Sequence, residues 1–441
     1  MTSIPWKVVP PSDLERPTTD RAPAYRPADG AFALFNDYAA GVALLAEGPV
    51  PLPSDSPFPL WERSGRPGPR PLAPGQTIEG YGVFTFPYGP VSMGVPESGR
   101  FDVRTYGERI LDLAPVGGFK SRRIGASVVG CSVADAALRV ERTAGHVAAA
   151  HAAAFLAAVE SALGLPVPRE ELWVRALAQE LSRIYNHVHG LARVAEASSQ
   201  NVGLAQAHSF AEEVLRLQGR HFGHRWLFGA FLPGGPTRHL EPSDRRTLGG
   251  TLASLSEDFD ELWELFLQSR IFVDRIQTTC PVPRARAVEW GAVGPTLRAC
   301  GVGWDDRLRI PQPPYNDLFL ALPRETEGDA LARVVVRAEE VRASFLLLEQ
   351  MLDRWPLDAG ATERPPPPVA PRRGIGRVES PGGDLVYDVT VSEDGRIAAL
   401  GRRTASDANF PVLALGLREA VFTDFHFALE SFGLSFAETD G

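Results

Sequence analysis

The sequence predicts an α+β protein: a central α-helical bundle with small flanking antiparallel β units. Three observations predict it. The stretch from Leu165 to Arg193 carries Leu177, Leu181, Ile184, Val188 and Leu191, whose gaps of four, three, four and three draw one apolar stripe along a helix. Similar spacing recurs at Leu248, Leu252, Leu255, Phe259, Leu262 and Phe266. Two segments, 81–113 and 384–403, alternate apolar and polar residues beside Gly- and Pro-rich turns and predict hairpins.

The elements follow in order. Residues 1–80 are rich in Pro, Gly and Ala and predict an extended N-terminal segment, with one short helix in AFALFNDYAAGVALLAE (31–47). Residues 81–130 form a β-hairpin region, with YGVFTFPYG and GRFDVRTYGERILDL as strands and GPVSMGVPESG as the turn. Residues 131–355 form the helical core. Within it HVAAAHAAAFLAAVESALG (146–164) is an Ala-rich helix. In the 165–193 helix, Pro166 and Pro168 suit the start, Glu170 and Glu171 the first turn, and Glu171 and Arg175 a surface pair. Its polar positions, Arg169, Arg175, Arg183, Asn186 and His187, predict a face turned to a partner or a site. Ser243 or Asp244 is the expected cap of a helix over 244–270. Asp329 to about Arg354 forms the last long helix, ending before Pro356. Residues 356–375, with ATERPPPPVAPRRG, form a stiff Pro-rich linker. Residues 376–441 form a C-terminal β-hairpin turning at Asp394–Gly395 and a core-packing tail of short helix and strand.

A chain of 441 residues can bury a sizeable core. Hydrophobic residues at 44% and charged residues at 22% are ordinary for a globular protein. The net charge of -9 argues against a nucleic-acid partner. No apolar run reaches the roughly 18 residues of a membrane span, and MTSIPWKVVPPSDLERP has no charged-then-apolar signal pattern. A cytoplasmic protein is expected, with any membrane attachment made through partners. Cys131, Cys280 and Cys300 are far apart and form no C-x-x-C, which excludes a disulfide framework and a four-cysteine zinc or iron–sulfur site. Gly374, Gly376 and Gly382 do not follow the strand–G-x-G-x-x-G–helix order of a dinucleotide fingerprint.

The run RALAQELSRIYNH (175–187) resembles the signature helix of one superfamily. That superfamily joins the quinone-site subunit of respiratory complex I (the 49-kDa or D type) to the large subunit of membrane-bound nickel–iron hydrogenases. Further segments resemble the family in the family's own order. They are GVFTFPYGPVSMGVPESGRF (82–101), ACGVGWDDRLR (299–309), RVVVRAEEVRAS (333–344), GIGRVESPGGDLVYDVTVSEDG (374–395) and SFGLSFAETDG (431–441). The resemblance implies the fold shared by the nickel–iron hydrogenase large subunit and the 49-kDa-type complex I subunit, from about Gly82 to the C-terminus.

It also implies where a site would lie. The family's hydrogenases hold nickel and iron with two C-x-x-C pairs, because soft thiolates suit those metals. This chain has Ala144 and Val147 at the first pair and Ser435 and Glu438 at the second. The resemblance therefore implies a divergent member with no metal of its own and a plugged site where these four positions meet. Glu141 and Arg142 match the family's E-R, and His151 matches the histidine after the first pair. Glu438 is expected to pair with Arg142. Complex I members place quinone between the first hairpin and the adjacent helices, with a hairpin histidine and a tyrosine as headgroup partners. Those positions are Ser92 and about Gly145 here, and His146, Tyr106 and Tyr185 lie near in sequence as substitutes.

In GGFKSRRIG (117–125), Arg122 matches an arginine that in relatives approaches an iron–sulfur cluster held by a partner subunit. With Lys120 and Arg123 it makes a cationic patch. GRHFGHRWLFGAFLPGG (219–235) resembles a structural turn in which Arg225 bridges helices. His221 and His224, three apart, are weak evidence for a metal site and read as ordinary side chains.

The implied function is that of a metal-free subunit in a complex I-like or hydrogenase-like, membrane-associated oxidoreductase complex. Two readings stay open. In one the chain docks an iron–sulfur partner and supports electron transfer to a quinone. In the other it is a catalytically silent scaffold. Both imply a hetero-oligomer with no cofactor held by this chain. The cluster sits in a small iron–sulfur subunit, membrane-arm subunits are further partners, and the chain lies on the inner face of the cell membrane through them.

Overall fold

The computed structural model describes residues 69–356 and 372–439, apart from 77, 93, 237 and 239, together with three short strands that precede them. The expected helix at 31–47 and most of the Pro-rich linker lie outside the described residues. Strand β1 (Trp6–Val8) pairs with β2 (Tyr25–Pro27). Strand β3 (Glu62–Arg63) joins a sheet formed near the other end of the chain.

The hairpin region forms a four-stranded antiparallel sheet in the order β4-β7-β6-β5. Its strands are β4 (Arg70–Pro71), β5 (Val83–Tyr88), β6 (Arg100–Tyr106) and β7 (Arg109–Gly117). Phe101, Val103 and Thr105 are buried while Asp102 and Arg104 between them are less so, the two-residue period of a sheet with one covered face. The loop from β5 to β6 folds back toward the helices.

The helical core begins with α1 (Ile124–Val128) and α2 (Val133–Val140), the latter capped by Ser132. Helix α3 (Ala148–Leu163) and helix α4 (Arg169–Ala197) follow. The Gly145–Leu163 segment is apolar and long enough to cross a membrane by composition, contrary to the sequence reading. Of its most apolar window 78% is buried inside the protein, so here it is a core helix. Leu177, Leu181, Ile184, Val188 and Leu191 of α4 are all fully buried, as their spacing requires. Helix α5 (Asn201–Phe222) packs on α4, and after a short ribbon, β8 (Phe231–Leu232) and β9 (Gly235–Pro236), helix α6 (Pro242–Gln268) packs on α5. The cap of α6 is Glu241 with Pro242 in the first turn, not Ser243 or Asp244, because proline is tolerated where the N–H is unpaired anyway. Short helices α7 (Arg270–Ile276), α8 (Arg284–Glu289), α9 (Gly294–Arg298) and α10 (Asp306–Arg309) lead to α11 (Ala330–Asp353), capped by Asp329.

The second sheet runs β10-β11-β12-β3, with β10 (Arg372–Ser380), β11 (Gly383–Val391) and β12 (Ile397–Arg403). Strand begins at Arg372, inside the span expected to be linker. Strand β10 lies directly on α3, and glycine makes that possible. A Cβ at Gly374 or Gly376 would come within 2.1 Å of the Ala158 carbonyl or 1.9 Å of the Ala154 carbonyl. The tail is helical rather than mixed with strand: α12 (Ala405–Gly416), α13 (Phe425–Phe432) and α14 (Phe436–Thr439). It packs with the first sheet into a second apolar core that includes Phe101, Val103, Phe410, Phe425 and Phe436. The sheet and the tail thus bracket one end of α4.

Candidate functional site

Helix α4 carries two polar faces. On one, Glu180, Arg183 and His187 point into a buried network of ions. Glu180 accepts hydrogen bonds from Arg183 (3.2 Å), Arg307 (3.0 Å), Ser344 (2.7 Å) and Tyr315 (2.7 Å). Glu340 of α11 accepts from His187 Nε2 at 2.9 Å and from Arg298 Nε at 2.7 Å. Arg298 also reaches Glu379 at 2.8 Å, and Arg307 reaches Asp305 at 2.7 Å. Arg183 donates to the Glu379 and Ser380 carbonyls, tying α4 to β10.

All of these charges are buried. Burial alone would raise the carboxyls, but Arg298, His187 and Arg183 outweigh it and hold Glu340 well below the usual range. Arg307 and Arg183 do the same to Glu180. Burial pulls His187 down to about 4, so it is neutral at pH 7. Burial and the nearby Asp305 push Glu379 up to about 7. Such a paired network fixes geometry: any one partner removed leaves a charge stranded in a dry interior.

On the other face, Tyr185, His189 and Arg193, spaced by four, line a cavity of about 400 Å³. Pro96 and Glu97 of the β5–β6 loop form one wall, Gly145 and His146 a second, and Trp226 and Phe228 a third. Glu430, Gly433 and Leu434 close it from the tail. Tyr185 stacks on His189 at 5.8 Å with 9° between the rings, and meets Trp226 edge-on at 5.1 Å. Arg193 forks onto Glu430, with contacts of 2.9 and 3.3 Å. Burial lowers His189 to about 4, and His146, Arg193 and His208 add to the effect. Burial also raises Tyr185 to about 12, which keeps its hydroxyl a donor. Arg337 joins the two faces: it lines the cavity, contacts His187 Nδ1 at 3.3 Å, and donates to the Phe432 carbonyl at 2.6 Å.

A second cavity of about 360 Å³ adjoins the first, and Pro96 and Glu97 border both. Lys120, Arg122 and Arg402 line it with Thr143, Phe436 and Ala437. Arg122 donates to the Thr143 carbonyl at 2.6 Å. Arg123 instead holds a left-handed conformation at the start of α1 and is not part of this lining.

The positions singled out by sequence fall around these cavities. Ala144 and Val147 are buried at the turn that supplies Gly145 and His146. Ser435 and Glu438 are buried in the tail. Ser435 Oγ donates to Glu97 at 2.8 Å, and Glu97 also accepts from the Ala437 N–H at 3.0 Å. Glu438 does not pair with Arg142. It bonds Ser406 and lies 3.6 Å from His151 Nε2, because α14 runs against α12 and over α3. His151 is fully buried, and its Nδ1 meets the Tyr387 hydroxyl at 2.8 Å. Arg142 bonds the adjacent Glu141 and covers the Phe228 ring at 4.6 Å, while Glu141 accepts from the Gly229 N–H at 2.8 Å.

Ser92 lies in the β5–β6 loop, half-buried, but does not border the cavity. Gly145, His146 and Tyr185 do border it, and Tyr106 stands exposed at the end of β6. Glu171 and Arg175 are both buried rather than on the surface, and Arg175 forks onto Glu160 at 2.6 and 2.8 Å. Arg225 bonds Glu212 of the preceding α5 instead of bridging helices. Among the described residues no group of three or more His, Cys, Asp or Glu is placed to hold a metal ion.

Sequence reasoning missed His189, Arg193, Trp226 and Glu97 as lining residues. A signal was present: Tyr185, His189 and Arg193 repeat every four residues and mark a second polar stripe on α4.

A helical bundle flanked by two small sheets, with a tail returning to the turn before α3, is the fold shared by the hydrogenase large subunit and the D-type subunit of complex I. Residues 204–376 match the family described as respiratory-chain NADH dehydrogenase, 49 Kd subunit. The chain is 24% identical over 350 residues to the carbon monoxide-induced hydrogenase of Rhodospirillum rubrum, covering 79% of this chain and 97% of that protein. It is 29% identical over 302 residues to a D-type NADH-quinone oxidoreductase subunit of Roseiflexus sp. (strain RS-1), covering 65% and 80%. It is 27% identical over 319 residues to the membrane-bound hydrogenase alpha subunit of Pyrococcus furiosus, covering 69% and 74%. In fold it is similar to a chain of the membrane-bound sulfane sulfur reductase, an archaeal respiratory membrane complex. The TM-score is 0.76 at 24% identity, over 81% of this chain and 98% of that one. The chain is thus similar, in part of its sequence to the 49-kDa-type complex I subunit and over most of its length to hydrogenase subunits, and it has no C-x-x-C pair.

Proposed function

We propose that this chain is a metal-free subunit of a complex I-like, membrane-associated oxidoreductase complex, in which it docks an iron–sulfur partner and offers the α4 cavity to a quinone. The relatives are subunits of membrane-bound respiratory or hydrogenase complexes. One observation carries the reading. The four positions where thiolates would hold nickel and iron are Ala144, Val147, Ser435 and Glu438, and the last two are committed to Glu97, Ser406 and His151. That donor set does not fit nickel or iron, which prefer thiolate there. Beside it lies an aromatic cavity whose Tyr185, His189 and Trp226 suit a flat ring, with His146 as a polar partner. The cationic lining from Lys120, Arg122 and Arg402 suits an acidic partner surface near its cluster.

The complex isolated with its partners tests this. Nickel at stoichiometric level would overturn the metal-free reading. Reduction of a short-chain quinone that is lost in Trp226→Ala would support the cavity, and no quinone reduction by an intact complex would remove it. The scaffold reading is favoured by the same closed Ser435–Glu97 and Glu438–Ser406 contacts, and predicts that cavity variants leave the activity of the complex unchanged.

A further inference from the structure

The cationic cavity of about 360 Å³ is not neutralised by its own chain. Lys120 and Arg122 reach it from the turn between β7 and α1, Arg402 from β12, and Glu97 from the β5–β6 loop. Glu97 does not answer these cations: its carboxylate accepts from Ser435 Oγ at 2.8 Å and from the Ala437 N–H at 3.0 Å. Arg122 donates to the Thr143 carbonyl and Arg402 to the Glu438 carbonyl at 2.8 Å. Among the described residues neither of them, nor Lys120, forms an ion pair with a carboxylate.

Arg402 decides what can fit. It is only 4% exposed, yet among the described residues its hydrogen bonding stops at one carbonyl, although a guanidinium offers five N–H donors. The buried carboxylates around it are committed elsewhere. Asp407 lies close enough to feel its charge, but bonds the N–H and hydroxyl of Thr404. Glu438 bonds Ser406 and faces His151. A buried cation without a partner is costly, so the counter-charge of Arg402 has to arrive through the cavity it lines.

We propose that this cavity is a binding site for a small dianionic oxyanion of the phosphate type. Lys120 and Arg122 are exposed, and a broad acidic surface can meet them. Such a surface does not descend to a side chain as buried as Arg402, whereas a small ion does. The lining carries three positive charges and one negative, and a dianion cancels that balance of two. Tetrahedral oxygens also suit the donors present, because guanidinium forks pair with two oxygens at once and an ammonium binds as a point charge. The site goes beyond the proposed function and does not rest on it, since no electron transfer enters the argument.

Calorimetric titration of the full chain with inorganic phosphate, sodium chloride holding the ionic strength constant, tests the site. Saturable binding of one phosphate per chain is expected, with a Tm that rises with phosphate and not with chloride. Arg402→Gln should weaken the binding at least about tenfold, the effect of one lost charge-assisted hydrogen bond. Because Arg402 is buried, Lys120→Gln and Arg122→Gln supply a second measure on exposed side chains, and each should weaken binding about threefold. No saturable binding, or binding left unchanged by all three substitutions, overturns the site. Phosphate expelled when the complex assembles overturns it as well, and gives the cavity to an acidic side chain of the partner. Quinone reduction enters none of these readouts, so failure of the proposed function leaves the result standing.

Discussion

The two polar faces of α4 make opposite use of similar residues. Glu180, Arg183 and His187 meet partners at every turn and sit in a dry network. Tyr185, His189 and Arg193 border an open cavity, and His189 touches neighbours mainly through its ring faces. A buried charge with all its bonds made is architecture. A titratable ring at a cavity wall, with a nitrogen left for something else, is available for chemistry. The comparison assigns stability to one face and function to the other, and each assignment can be broken.

The largest effect is expected at Glu340. Glu340→Gln removes the charge that faces Arg298 on one side, leaving Glu379 on the other, and should cost about 3–5 kcal/mol, the scale for breaking a buried pair, read from denaturant unfolding of the full chain. A loss below that of an ordinary surface substitution would show the network to be dispensable. Acid should act on the same face. The fold holds Glu340, Glu180 and Asp305 below the ordinary carboxyl range, although burial opposes this. The unfolded chain therefore binds more protons as acid is added, so this stability is complete above that range and is lost as pH falls through it. Glu379 runs the other way. With its carboxyl held at about 7, its contribution is complete below the ordinary range and declines as pH rises toward 7. Stability measured against pH in Glu340→Gln should show a shallower acid limb than in the parent chain.

On the cavity face the balance reverses. Trp226→Ala should cost only about 1–2 kcal/mol of stability, since the ring is partly exposed, while weakening quinone binding about tenfold through the lost ring contact. Equal damage to both would merge the two faces into one role. The smallest effect is expected at Arg342, which pairs with Asp260 at 2.7 Å in the open between α11 and α6. Arg342→Gln should change stability by about 0.5 kcal/mol. The same kind of ion pair thus spans a wide range of effect according to its access to water.

The apolar side of α4 was legible in the sequence because local spacing alone decides which residues share a stripe. Leu177 through Leu191 needed no knowledge of partners. The ion network was not legible in that way. Glu180 meets Arg307 and Arg183 meets Ser380 across more than a hundred residues of chain, and spacing carries no such distances. Arg175 and Glu171 show the cost of stopping at local spacing: one turn apart on the helix, they read as a surface pair, yet Arg175 turns to Glu160 in the interior. The tail shows the same limit. Matching motifs placed Ser435 and Glu438 opposite the turn at Ala144, but the partner of Glu438 depends on how α14 packs, which brings Ser406 and His151 rather than Arg142. The cavity wall at His189 was visible as a four-residue repeat, but a repeat of polar residues looks the same whether it faces water or a chamber.

Glu97 has a consequence for access. Its carboxylate pins the C-terminal tail, and the residue borders both chambers. Whatever loosens that grip, a docked subunit drawing the tail outward for instance, would turn two closets into a single corridor from the cationic entrance to the stacked rings.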